Sequence, residues 1–401
     1  MRRDGGSDEN AARDRALEPG NRLGIVRGRR EADRRARYDH LWTIDHLLAI
    51  YGDPFQPIFE GYIALAAWSK VTTRVGLGLL VGANTFRNPG LVAKMATTLD
   101  HASGGRALLG IGGAWFEPEH TVYGIDFSRG FGERLDWLDE SVAAIRALFA
   151  GEEVTSPPDA HYRLDRVRLE PPSVQARIPI LIGGSGERKT LRTVARYADM
   201  WHGDGSVELL RHKLDVLERH CAEVGRDPGE IELTCGLKPV IRDDPREARR
   251  VWEGQMTHNQ WRVSEAEQDD GFWIGRPEQI AQKMIERRAL GFHTFIAEMA
   301  APFDDETLER WIGESCRWST PPRKPLPAQV SYGRPRRTAA QPAASSLSAT
   351  AGSRAGGWSG TMSAPAKPGS SGECPKVTAT SLSPSSGPLA TWKSVSRLTW
   401  S

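Results

Sequence analysis

At Ile178–Ile182 an apolar run stops at Gly183, Gly184, Ser185 and Gly186, and a helical pattern is predicted to follow from Glu187. A glycine-rich turn leading from a strand into a helix leaves backbone N–H groups converging on one point, and the helix dipole adds positive potential there. The chemistry that suits this pattern is the holding of an anion, a phosphate above all. An ordinary flexible turn has the same composition and stays open as a reading. Neither GxGxxG nor GxxxxGKS spacing is present, which disfavours a dinucleotide-binding turn and a Walker loop.

Two further strand ends carry groups able to react or to contact a flat ligand. Asp45 and His46 follow directly on LWTI. Such a pair suits hydrogen bonding to the edge of a heterocycle and proton delivery to a reacting carbon, since histidine titrates near neutrality; capping of the next helix is the plainer alternative. Gly82, Ala83, Asn84 and Thr85 follow the run Val75–Val81, and small residues before an amide and a hydroxyl suit a bulge pressed against a ring face. An ordinary strand-to-helix loop would look the same. Gly112 and Gly113 close the run Ala107–Ile111 and leave the backbone similarly open to a ligand.

Elements that must position these groups alternate along the chain. Leu41–Ile44, Val75–Val81, Ala107–Ile111, Ile178–Ile182, Asp199–His202, Ile231–Val240 and Thr294–Glu298 read as buried strands. Between them lie helical stripes: Pro89–Leu99, then Leu135, Leu138, Val142, Ile145 and Leu148, then Leu191, Val194, Ala195 and Ala198. Leu210, Leu214, Leu217 and Cys221 make another stripe, and Ile280, Met284 and Ile285 the last. Repeated strand-then-helix units imply a parallel sheet, and this many units favour closure into an α/β barrel with its site at the C-terminal face.

Composition bounds the function class. The chain has 401 residues and 26% charged residues, while one α/β barrel needs ~250 residues, so one catalytic domain plus tails fits. A formal charge of +2, with the arginines dispersed, argues against a nucleic-acid partner and leaves a small molecule as the expected one. Cys221, Cys235, Cys316 and Cys374 have neither metal-ligand nor disulfide-framework spacing, so no metal is expected and a reduced, cytoplasmic setting is the default. No apolar run reaches the ~18 residues of a membrane span, and the N-terminus lacks a secretion-type stretch. Residues 1–37 form an atypical Arg-rich segment, 38–318 the expected barrel, and 319–401 a Pro/Ser/Ala-rich tail expected to be disordered.

Several of these motifs, taken in order, resemble one family. The segments LWTIDHLL, EGYIALAAWSKVTTRVGLGLLVGANTFRNPGLVAKMATTLDHASGGRALLGIGGAWFEPEH, RLDWLDESVAAIRALF and IPILIGGSGERKTLRTVARYADMWH are similar to the bacterial luciferase-like flavin enzymes. More narrowly, they resemble the actinobacterial branch that uses the deazaflavin coenzyme F-420. The resemblance implies a TIM (β/α)8 barrel, often a homodimer, that moves hydride between its cofactor and a small organic substrate. Coenzyme F-420 is the cofactor it implies and FMN the alternative, in which case oxygen chemistry and monooxygenation follow. A flavin-binding barrel without catalysis is a further alternative, and a phosphate-sugar isomerase or aldolase barrel is disfavoured because no strand-end Lys or carboxylate pair stands at the expected strand ends.

Carried over residue by residue, the resemblance makes His46 the proton-transfer residue and Asp45 a cofactor contact. Gly82, Ala83, Asn84 and Thr85 match the bulge behind the ring, commonly the site of a non-prolyl cis peptide. Gly183, Gly184, Ser185 and Gly186 match the phosphate turn, with Gly112 and Gly113 leaving room beside the ribityl chain. Trp115 stands where sugar-phosphate dehydrogenases of the wider family carry a glutamate, which disfavours that substrate class; Glu119 and His120 fit either the pocket lining or a surface loop. The family opens on an apolar first strand, whereas NRLGIVRGRREADRRARYDH stands here, so the first strand is expected to be incomplete. A start or a reading frame that departs from the family's would account for it.

Overall fold

The computed structural model describes residues 38–263, 271–318 and 376–381. These residues belong to one compact unit that takes in Cys374–Ser401 together with the chain up to Ser319. The parallel strands are β1 (His40–Thr43), β2 (Gly76–Leu79), β3 (Gly82–Ala83), β4 (Leu109–Gly112), β5 (Ile180–Gly183), β6 (Met200–Gly203), β7 (Glu232–Ile241), β8 (Phe272–Gly275), β9 (Thr294–Met299) and β10 (Lys376–Ser381). Helices α1 (Gly61–Ser69), α2 (Pro89–Ser103), α3 (Glu117–Tyr123), α4 (Phe131–Phe149), α5 (Thr190–Tyr197), α6 (Val207–Val224), α7 (Pro245–His258), α8 (Pro277–Arg288) and α9 (Asp305–Trp318) connect them.

The strand order runs β2-β1-β10-β9-β7-β6-β5-β4-β3, with β8 pairing off the path to β7. β2 and β3 are two parts of one stave, interrupted at Leu80–Val81, and a bridge between Leu77 and Ala107 ties β2 back to the run before β4. The sheet is therefore a ring, the expected (β/α)8 barrel.

One stave comes from an unexpected place. β10 lies between β1 and β9, pairing Leu41 with Ala379 and Ile296 with Thr378. Six residues of the segment expected to be disordered are thus a strand, and the place that an incomplete first strand would leave open is filled from the far end of the sequence. The physical reason is the open ring itself: β1 and β9 would each present a row of unpaired N–H and C=O groups, and KVTATS, rich in β-branched residues, satisfies both. A six-residue pattern inside a polar tail carries no such signal on its own. The remainder of 319–401 and all of 1–37, with the stretch in which an incomplete first strand was expected, lie outside the described residues.

Alternation along the staves divides the core in two. Ile180 and Ile182 of β5 point outward into the main layer beneath the helices, with Leu138, Ile145, Leu191 and Val194, while Leu181 points inward to Trp42, Met200 and Ile296. Trp42 is fully buried inside the ring, and the glycines of neighbouring staves make its room: a Cβ on Gly78 would stand 2.4 Å from its indole. At Gly110 a Cβ would meet the Leu79 carbonyl at 1.9 Å. The glycines inside the strands therefore serve packing, and those at the strand ends are left for a ligand.

Local signals set the helix ends that aim these staves. Asn88 caps α2 by accepting the Gly90 N–H at 2.9 Å, Pro89 opens it, and Gly104 closes it at φ 73°. α5 differs from expectation: it begins at Thr190, and Glu187–Lys189 form a turn in which Gly186 accepts the Leu191 N–H at 2.9 Å. With no Ser, Thr, Asp or Asn at its N-cap, where Lys189 stands, the helix lacks a side-chain cap that would start it earlier.

Candidate active site

A cavity of roughly 490 Å³ opens where the staves end. Its wall includes Asp45 and His46 after β1, Gly82 and Ala83 of β3, Gly112 and Gly113 at the end of β4, and Gly183 and Gly184 at the end of β5. Asn84, Thr85, Ser185 and Gly186 do not line it: the first two turn away behind β3, and the last two continue the turn beyond Gly184.

Asp45 is almost fully buried and makes a bidentate pair with Arg87, at 2.7 and 2.9 Å, while accepting the Ala83 N–H at 3.0 Å. Arg87 also reaches Glu60 at 2.6 Å. Burial alone would lower the Arg87 pKa, but the hydrogen bond and charge of Asp45 outweigh it and hold the guanidinium firmly protonated. Asp45 thus fastens the bulge to β1. Its geometry is that of a positioning group, with its carboxylate oxygens already engaged.

Asn84 and Thr85 complete that fastening. The Tyr162 hydroxyl donates to the Asn84 carbonyl at 2.7 Å, and the Thr85 hydroxyl lies 2.6 Å from Nε2 of His120. His120 is buried; its Nδ1 stands 3.0 Å from the Phe116 carbonyl, a pure acceptor, so Nδ1 donates and Nε2 accepts from Thr85. Burial lowers the His120 pKa and keeps the ring neutral. The non-prolyl cis peptide joins Leu80 to Val81, ahead of the four residues to which the resemblance pointed.

His46 is placed differently. Its Nδ1 faces both carboxylate oxygens of Glu119, at 3.0 and 3.1 Å, and Glu119 also accepts the Leu47 N–H at 2.9 Å. Trp115 and Phe116 meet the imidazole edge-on, with centroids 5.6 and 5.9 Å away. Glu119 is 1% exposed, so a buried carboxylate on α3 orients a histidine whose Nε2 has no hydrogen-bond partner among the described residues. A carboxylate–imidazole pair with a free Nε2 on a cavity wall is equipped to hold or pass a proton.

The glycines divide by role. At Gly112 a Cβ would meet a Val81 methyl at 2.8 Å, and at Gly183 the same side chain at 3.0 Å. At Gly113 the obstacle is Leu135, at 2.7 Å. Room expected for a ribityl chain is therefore partly taken by Val81 and Leu135, and these residues offer a ligand their backbone only. Gly184, at φ 119°, accepts the Trp201 indole N–H at 3.0 Å and turns the chain outward. The amides of Ser185, Gly186 and Glu187 beyond it have no acceptor among the described residues, nor does the Arg188 side chain have a carboxylate partner. A turn of amides without acceptors fits an anion.

Sequence reasoning missed part of the wall. Tyr51, His202, Asp204 and Glu298 also line the cavity. His202 and Glu298 each closed an expected strand, so the rule that barrel sites gather at stave ends had marked them. Arg87 had no such signal, because its partners Asp45 and Glu60 are 42 and 27 residues away. Among the described residues no group of three His, Cys, Asp or Glu is arranged to hold a metal, and no helix is long and apolar enough to cross a membrane.

With that geometry in view, the family assignment follows. The model of the luciferase-like monooxygenase family matches residues 25–294, and the chain belongs to that family. An uncharacterized protein of Mycobacterium tuberculosis is 31% identical over 193 residues, covering 47% of this chain and 65% of that one. The pyrimidine monooxygenase RutA of Variovorax paradoxus is 29% identical over 196 residues, covering 48% and 52%. The chain thus spans between about half and two thirds of the length of these relatives. Among solved structures, an F-420-dependent secondary alcohol dehydrogenase in complex with a cofactor–acetone adduct superposes with a TM-score of 0.58 at 20% identity, covering 70% of this chain and 90% of that one. That likeness shows the shared barrel.

Proposed function

We propose that this protein binds a phosphorylated flavin-type cofactor, coenzyme F-420 or in its place FMN, and transfers hydride between it and a small organic substrate. The observation that carries the reading is the turn after β5, where free amides of Ser185, Gly186 and Glu187 adjoin a cavity walled by Gly183 and Gly184. Such a cofactor supplies the hydride chemistry when bound. The chain's residues do the rest: the turn amides and Arg188 hold the phosphoryl end, and the Ala83 backbone, fastened by Asp45, forms a flat wall. His46, oriented by Glu119 through Nδ1, presents Nε2 to exchange a proton with the substrate. Trp115 and Phe131 flank the opening and limit water.

Separate titrations of cofactor-free protein with coenzyme F-420 and with FMN, followed by visible absorbance, test the reading and choose between the two. Saturable binding of one is expected. Ser185→Asp sets a carboxylate against the anion and should weaken that binding by at least about tenfold, ~1.4 kcal/mol, with thermal unfolding unchanged. Binding equal to that of the parent protein would remove the phosphate assignment.

A further inference from the structure

Across the cavity mouth from His46 stands a second histidine that the reading above leaves unused. His202 stands one residue before the end of β6, and in the cyclic stave order β6 lies opposite β1. Its Nδ1 is 2.9 Å from the Thr234 hydroxyl, and that hydroxyl donates its single proton to the Trp201 carbonyl at 3.1 Å. The hydroxyl oxygen can then only accept from the ring, so Nδ1 carries the proton and Nε2 carries the lone pair. No described residue donates to that lone pair. Gly236 on β7 makes its space: a Cβ there would lie 2.9 Å from Nε2 and 3.4 Å from a Glu298 carboxylate oxygen.

The surroundings favour an acceptor throughout. Glu298 lines the same wall, held by Lys238 at 2.9 Å, and the Asp204 carboxylate stands beside it with no ion-pair partner among the described residues. Burial lowers the His202 pKa, more than Asp204 and Glu298 raise it, and keeps the ring neutral. The imidazole lone pair and the two carboxylates of this wall offer a ligand hydrogen-bond acceptors, with the Lys238 ammonium turned to Glu298.

We propose that His202 is a substrate-recognition residue whose Nε2 accepts a hydrogen bond from a donor group, a hydroxyl or an ammonium, on the small substrate. This deepens the oxidoreductase reading and rests on it for the word substrate, but its test needs no cofactor. Full-length protein labelled with 15N-histidine is examined by long-range 1H–15N correlation, with the His202 signals identified by their loss in His202→Asn. The proton is expected on Nδ1, and Thr234→Val is expected to let the other tautomer appear.

Cyclohexanol, cyclohexylammonium and methoxycyclohexane are then titrated as probes of one shape. Movement of the Nε2 resonance with cyclohexanol assigns a hydroxyl; movement with cyclohexylammonium alone assigns a cationic amine. Equal movement with the ether, no movement with any probe, or a proton found on Nε2 overturns the proposal. Ser185→Asp should leave these responses intact, so loss of cofactor binding and loss of donor recognition report separately.

Discussion

The two walls of the cavity use the same residue in opposite ways. On the β1 side His46 faces a buried carboxylate, which fixes the direction of its ring, and the neighbouring Asp45 is locked to a guanidinium. On the β6 side His202 faces a hydroxyl that has spent its proton on a carbonyl, in a site whose burial disfavours charge. Partner chemistry, more than residue type, decides what each imidazole does. The first wall is built from charges that neutralise one another across long sequence separations, the second from a neutral imidazole beside carboxylates on nearby staves.

Breaking the charged wall should have the larger effect. Arg87→Leu leaves Asp45 buried without its cation, and the loss of one partner from a buried pair costs about 3–5 kcal/mol; partial exposure of Glu60 places the expected value near the lower end. Denaturant unfolding measures it, and a midpoint unchanged from the parent would show the network to be ornamental. Glu119→Ala removes one acceptor from the Leu47 N–H and from His46, for a loss of about 1–3 kcal/mol in the same measurement. Equal stabilities for Glu119→Ala and the parent protein would end the description of Glu119 as an anchor.

Acid sharpens the contrast with a smaller effect. His120 and His202 have folded pKa values below that of an unfolded histidine, so the unfolded chain binds protons first as pH falls. Their contribution to stability is intact above about pH 6.5 and is lost progressively below it, by at most ~1.4 kcal/mol per pH unit for each ring. Thermal unfolding across pH 7 to 5 should show this slope, reduced in His120→Gln. A slope that His120→Gln leaves unaltered would mean that His120 titrates as an exposed residue does.

Much of the barrel was legible because strand and helix periods are local. The run Ala107–Ile111 became β4 at Leu109–Gly112, the stripe from Leu135 to Leu148 became the inner face of α4, and Asn88, Pro89 and Gly104 bounded α2 by chemistry contained within a turn. At the site, the stave-end rule brought Asp45, His46, Gly82, Ala83, Gly112, Gly113, Gly183 and Gly184 to one cavity. Asn84 and Thr85 fell outside it, since Tyr162 and His120, neither near in sequence, draw them behind the stave.

The sequence by itself determined the alternation, the strand stops and the types of group that stand at them, all of which follow from residues within a few positions of one another. Only the tertiary structure decided the partners. It set Glu119 against His46 across 73 residues and Thr234 under His202, and it drew Lys376–Ser381 between β1 and β9. Those pairings depend on which open edge, lone pair or charge lies nearest once the ring closes, and distance through space has no signature in a one-dimensional pattern.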